Sequence, residues 1–125
     1  MIEATDFLIL SLDLIDSDSP NESKYRTAIS RSYYAIYHMM AREYAVAKGL
    51  EVEDSVISSH QRFIKELKDD SDAKIKTLGN QLFQLKQARE DADYKLKLDI
   101  NKSKAKMNYT YAERMQKTIN SVFSV

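Results

Sequence analysis

The chain has 125 residues, 30% of them charged, with acidic and basic side chains in balance. That length fits one domain burying roughly two thirds of its unfolded surface. Two glycines, one proline and abundant Leu, Ala, Lys, Glu and Gln favour helix throughout, so the expectation is an all-α, antiparallel four- to five-helix bundle over 1–125. The lack of cysteine excludes a disulfide framework and a thiolate nucleophile. The longest apolar run falls far short of the ~20 residues that span a bilayer, and a near-neutral chain lacks the basic footprint of a duplex-DNA binder. Without a basic then apolar leader, the expectation is a cytoplasmic protein with no membrane partner.

A first helix is predicted over 3–16. Phe7, Leu8, Leu10, Leu12, Leu14 and Ile15 give it more apolar surface than one core stripe needs, so part of it is expected to face a partner. Residues 1–22 also hold Glu3, Asp6, Asp13, Asp16, Asp18 and Glu22 with no Lys or Arg, which makes this end acidic. Ser19-Pro20-Asn21-Glu22 predicts a helix start with Ser19 as N-cap, Pro20 at the first helical position and Glu22 closing a capping box. The second helix then runs from Pro20 to Lys48 and stops at Gly49. Tyr25, Ile29, Tyr33 or Ser32, Ile36, Met40, Tyr44 and Ala47 form its inward face.

Residues 49–57 are read as a connection, and Ser58-Ser59-His60-Gln61 as another capping box opening a short third helix to about Lys68. Asp72 caps a fourth helix with the inward stripe Ile75, Leu78, Leu82, Leu85, Arg89, Ala92 and Leu96. A strip follows with Lys95, Lys97, Lys102, Lys104 and Lys106 against Asp99 alone, either a solvated face or an attractor of phosphates. Ala105, Tyr109, Ala112, Met115, Ile119 and Val122 mark a fifth helix.

One member of the fourth stripe is an arginine. A guanidinium at Arg89 needs a partner, because an unpaired buried ion costs several kcal/mol. Asp91, Asp93 and the acidic first helix are candidates. Arg89 then either clamps helices together or holds a phosphate, for which its planar five-donor fork is suited. On the second helix Arg31 and His38 lie seven residues apart, within ~20° around the axis, with Tyr34 between them. A nucleobase stacked on Tyr34 or Tyr37 with Arg31 on phosphate is one reading; tyrosines in the core or at a dimer interface is the other. His60, at the second position of its helix, is held neutral by the positive helix end and suits a base. Two distant histidines without cysteine argue against zinc, and no glycine-rich phosphate loop or nucleophile elbow is present, so neither metal nor cofactor is expected.

Arg26-Thr-Ala-Ile-Ser-Arg-Ser-Tyr-Tyr-Ala-Ile-Tyr-His38, the Ser59-His60 pair and Ala88-Arg-Glu-Asp-Ala-Asp-Tyr94, in this order and separation, resemble the HEPN domain family over about residues 4 to 122. The resemblance implies an antiparallel bundle, usually a homodimer, often encoded beside a minimal nucleotidyltransferase and associated with toxin-antitoxin or phage-defence systems. Active relatives are metal-independent ribonucleases with an arginine followed, after four to six residues, by a histidine. Arg89 matches that arginine, and Tyr94 stands where the histidine would be after four intervening residues. Tyrosine, with a reference pKa of ~10 against ~6.5 for imidazole, is a poor substitute in proton transfer near pH 7. Arg31 to His38 also satisfies the spacing, but mid-helix and away from the family's catalytic position.

Three functions are therefore expected to compete. The first is a HEPN-like module that binds RNA, a nucleotide or a partner nucleotidyltransferase through Arg89, Asp93 and Tyr94, with Arg31, Tyr34, His38, Lys95 and Lys97 as further contacts. The second is a ribonuclease toxin in which Arg89 stabilises the phosphorane and His60, helped by Tyr94, moves protons. The third is a purely structural dimerisation module.

Overall fold

The computed structural model describes residues 1–49 and 59–124, which fold as an all-α bundle. In chain order the helices are α1 (Ala4–Ile15), α2 (Glu22–Ala47), α3 (His60–Lys68), α4 (Ala73–Tyr94) and α5 (Lys102–Val122). No strand occurs among the described residues, and none of their helices is long and apolar enough to cross a membrane. The 26-residue α2 is the spine, packed against α1, α4 and α5, while α3 rests on α4.

Polar caps set the helix boundaries. Glu3 and Asp6 cap α1 reciprocally, the Glu3 N–H donating to Asp6 Oδ2 at 2.7 Å. At α2 the expected start is corrected by two residues. Asn21, not Ser19, is the N-cap, accepting from the Lys24 N–H at 2.9 Å, so Pro20 precedes the helix. Asparagine and serine cap about equally well, and here Ser19 is engaged in the preceding turn. Its N–H donates to Ser17 Oγ, and its carbonyl accepts from the Lys24 ammonium. The other end of α2 matches expectation: Gly49 takes φ 71° and its N–H reaches the Val46 carbonyl.

The connection expected over 49–57 and the capping role of Ser58 lie, Gly49 apart, outside the described residues. Ser59 is the N-cap of α3, accepting from the Arg62 N–H at 3.2 Å, which puts His60 at the first helical position instead of the second. Asp72 caps α4 as expected. The far end of α4 is a second correction, because it stops at Tyr94 and leaves Leu96 77% exposed. Arg26 is the reason. Its guanidinium donates to the carbonyls of Ala92 at 2.9 Å and Lys95 at 3.2 Å, and to those of Leu96 and Leu98, while its Nε pairs with Glu22 at 2.9 Å. One side chain thus satisfies carbonyls that a helix end leaves without partners. Asn101 then caps α5.

The larger core gathers Leu8, Tyr33, Ile36, Met40, Leu67, Leu78, Leu82, Leu85, Met115 and Ile119. A smaller one joins Ile15, Ala28, Ile29, Ala92, Ile100 and Ala105 at the other end of α2. Between α1 and α2 the fully buried Ser11 donates to the Ala28 carbonyl at 2.9 Å and lies 2.8 Å from Ser32 Oγ, so small hydroxyls let the backbones approach. Asp70 ties the end of α2 to the α3–α4 turn by accepting from Tyr44 Oη at 3.2 Å and from the Asp72 N–H at 2.8 Å, with Lys48 Nζ at 3.1 Å.

Candidate functional site

Tyr34 lies half-buried on α2, and four cationic or imidazole groups surround its ring. The guanidinium carbon of Arg31 stands 4.9 Å from the ring centroid and that of Arg89 5.5 Å. The rings of His60 and His38 follow at 5.7 and 6.3 Å. Helix geometry accounts for the meeting. Arg31, Tyr34 and His38 share a stripe of α2, Arg89 rises from the inward seam of α4, and His60 sits on the first turn of α3 above Tyr33 and Tyr37.

The Arg89 side chain is 13% exposed and, among the described residues, meets one carboxylate, Asp93 Oδ2, at 3.5 Å. That oxygen is also 3.5 Å from the Ser30 hydroxyl, and Arg31 in turn donates to Ser30 Oγ at 3.3 Å. Arg89 thus meets Asp93 directly, while Arg31 reaches it only through the Ser30 hydroxyl. Among the described residues the Nε of Arg89 is buried without a hydrogen-bond partner. Of the other expected partners, Asp91 pairs with Lys95 at 2.8 Å instead, and no acid of α1 forms an ion pair with Arg89 among the described residues.

His60 is positioned on two sides. Its ring stacks on Tyr37 at 4.0 Å and 8°, and its Nδ1 lies 2.6 Å from Tyr33 Oη. Burial is the main cause that drives the Tyr33 phenol far above its usual range, so it keeps its proton. Because Tyr33 is fully buried, that proton would be unsatisfied if Nδ1 were the donor. Tyr33 therefore donates to Nδ1, and Nε2 of the neutral imidazole carries the hydrogen. Burial first, then the charges of Arg89, Lys86 and His38, lowers the His60 pKa from 6.5. His38, stacked on Phe7 at 5.7 Å, is lowered by burial and by Arg31.

Tyr94 is 71% exposed with its ring 5.8 Å from the Arg89 guanidinium, on the outer rim. Lys95 and Lys97 lie just past the end of α4, the first paired with Asp91 and the second without an ion-pair partner among the described residues. Tyr37 offers no stacking face to a base, being 3% exposed beneath His60. Tyr33, Ser30 and Lys86 were not singled out as site residues from sequence. Only Lys86, one turn before Arg89 on α4, had a readable signal. A cavity of about 420 Å³ lies elsewhere, beside the start of α1, and touches the cluster only through Phe7 and His38. Among the described residues no group of three or more His, Asp and Glu side chains is placed to hold a metal ion.

Among the described residues the cluster sets two guanidiniums around Tyr34 with one of them paired to a carboxylate, so its chemical complement is an anion, and a phosphate suits the forked guanidiniums. Compared with protein-family models, with curated proteins and with solved structures, the chain matches none.

Proposed function

We propose that the chain is a HEPN-like helical module that binds a phosphate-bearing ligand, RNA or a nucleotide, through Arg89 and Arg31 around Tyr34, in a toxin-antitoxin or phage-defence setting. The carrying observation is the convergence of the Arg31 and Arg89 guanidiniums on the Tyr34 ring, where Asp93 at 3.5 Å is the one carboxylate paired with Arg89 among the described residues. The half-buried Tyr34 and the exposed ring of Tyr94 supply aromatic surface for a base beside the phosphate. A partner nucleotidyltransferase would enter the same site by presenting a carboxylate or phosphate, and a homodimer would bring two such clusters into one particle.

The ribonuclease reading is favoured by one observation, that His60 lies close enough to Arg89 for the guanidinium to depress its pKa. Catalysis needs a second proton-transfer group, and Tyr33 holds its proton too firmly to serve.

The test is titration of labelled RNA and nucleotide into the protein in EDTA, with cleavage followed in the same samples. Binding without cleavage, weakened at least tenfold in a folded Arg89→Ala variant, is the expected result. Metal-independent cleavage abolished by Arg89→Ala would replace it with the ribonuclease. Absence of any binding, with Arg89→Ala lowering only thermal stability or dimer formation, would leave a structural module.

A further inference from the structure

The outer face of α1 is apolar at its centre and acidic around it. Ile9 and Leu10 are both exposed, and Asp6 and Asp13 stand one turn before and one turn after them, spacings that put all four on one side of the helix. Asp6 accepts the Glu3 N–H, but neither carboxylate meets a cation among the described residues, and residues 1–22 hold no Lys or Arg. The outer face of α5 has the opposite charge. Lys106, Met107, Thr110, Tyr111 and Arg114 help to line an open depression of about 440 Å³ along that helix, with no acidic side chain among its described walls. Met107 is exposed, and neither Lys106 nor Arg114 forms an ion pair among the described residues. The two helices pack together and run in opposite directions. Ile15 and Ala105 share the smaller core at one end, and Thr5 and Ile119 line one cavity at the other.

We infer that these two faces form the interface of a symmetric dimer of this chain, in which α1 of each protomer lies against α5 of its partner. Charge selects the occupant. No ion pair joins α1 to α5 within the chain among the described residues, so each copy offers the acids that the other's α5 lacks and the bases that its α1 lacks. Charge also selects the symmetry. A two-fold axis along the helices sets α1 on α5 twice over, whereas an axis across them sets α1 on α1 and acid on acid, which is repulsive. The first arrangement is antiparallel, so Asp13 faces Lys106 of the partner and Asp6 faces Arg114. The spacings agree: Asp6 and Asp13 are about 10.5 Å apart along their helix and Lys106 and Arg114 about 12 Å along theirs, a difference that long basic side chains absorb. Ile9 and Leu10 then cover Met107 and Tyr111, an apolar centre with charges at its rim. The inference does not rest on the anion-binding reading of the Arg89 cluster; it names the face by which the homodimer mentioned there forms.

Sedimentation velocity of the full chain, from micromolar to sub-millimolar concentration, decides this with three variants. Wild type should dimerise. Asp13→Lys, Lys106→Glu and Arg114→Glu, each checked by circular dichroism for unchanged folding, should each weaken the dimer at least tenfold, because every substitution places like charges together at both symmetric contacts. Mixing then reads the register. Asp13→Lys with Lys106→Glu restores opposite charges at both contacts and should recover most of the lost affinity as a heterodimer, whereas Asp13→Lys with Arg114→Glu should not. A wild type that stays monomeric over the whole range overturns the inference. So does a dimer equally tight in all three variants, which places the interface elsewhere, and a dimer lost in all three but recovered in neither mixture, which removes the pairing of α1 with α5. Recovery with Arg114→Glu in place of Lys106→Glu overturns the antiparallel register. The anion site is read separately. Arg89→Ala should leave dimerisation unchanged, and a dimer that Arg89→Ala alone dissolves overturns this face in favour of one at the Tyr34 cluster.

Discussion

A guanidinium that completes a clamp and one that waits for a ligand differ in what their removal does. Breaking a buried ion pair by deleting one partner costs about 3–5 kcal/mol. Arg89 has a different balance: among the described residues its Nε is unpartnered, and Asp93, paired with it at 3.5 Å, is itself 31% exposed and able to hydrate. Against these stand its contacts with the faces of Tyr33 and Tyr34, worth about 0.5–2 kcal/mol in all. Arg89→Met keeps the length and apolar contact while removing the unsatisfied donor. It is expected to leave unfolding free energy within about 1 kcal/mol of wild type while eliminating anion binding. Urea denaturation would read a loss above 3 kcal/mol if Arg89 were a clamp. The Tyr33 hydroxyl makes a separate prediction at the same scale. Tyr33→Phe leaves His60 Nδ1 without its donor, so the nitrogen-15 shifts of that ring should move from the Nε2-protonated pattern toward a tautomer mixture. An unchanged pattern would mean that Tyr33 does not set the proton's position.

At the scale of elements, the site depends on how α3 seats on α4 and on how α4 ends. Gly79 is the seat. A Cβ built there would stand 2.8 Å from Leu67 Cβ and 3.0 Å from the Lys68 backbone nitrogen. Alanine improves helix propensity by about 1 kcal/mol, but forcing two backbones apart costs about 1–3 kcal/mol. Gly79→Ala should therefore be neutral to destabilising by about 2 kcal/mol. It should also weaken ligand binding, since α3 carries His60; a more stable variant with unchanged binding would refute the close contact. Arg26 governs the other end. Arg26→Ala abandons the carbonyls of Ala92, Lys95, Leu96 and Leu98, and hydrogen bonds to a charged donor are worth about 1.5–3 kcal/mol. Faster amide exchange over residues 95–98 should accompany the loss of stability, and Lys should rescue poorly because it lacks the fork.

For the molecule as a whole, what the sequence reveals and what it hides divide by the range of the interaction. Periodic apolar positions match the five helices of the described residues, and Gly49, Asp72 and the inward stripes of α2 as far as Tyr44 and of α4 as far as Ala92 hold, because those signals are local, while Ala47 is exposed at the end of α2. Ser19 fails as a cap because Asn21 offers equal chemistry two residues on, and Leu96 leaves the stripe because Arg26, 70 residues earlier, gathers the end of α4. The candidate residues Arg31, His38, His60 and Arg89 do converge on the Tyr34 ring, but the Tyr33–His60 bond depends on tertiary approach.

That convergence also gives the whole fold a pH response. His38 and His60 both have pKa values lowered from 6.5, so in the window just below 6.5 the unfolded chain binds more protons than the folded one. Stability is then full above about pH 6.5 and is lost as the pH falls through the folded pKa values. Asp70, whose pKa is lowered chiefly by the Asp72 N–H, acts in a separate window below 3.8. A bound phosphate reverses the local sign, because an anion beside His60 raises its pKa and complex formation takes up protons. Between about pH 7.5 and 5.5 the melting temperature of the free protein should fall by about 2–8 °C per kcal/mol lost, while affinity for the labelled RNA or nucleotide rises. His60→Gln should flatten the binding curve and part of the melting curve. A free protein whose melting temperature is level or rising on acidification would show that the two imidazoles are not held neutral by the fold, and with them would go the donor-rich cluster around Tyr34.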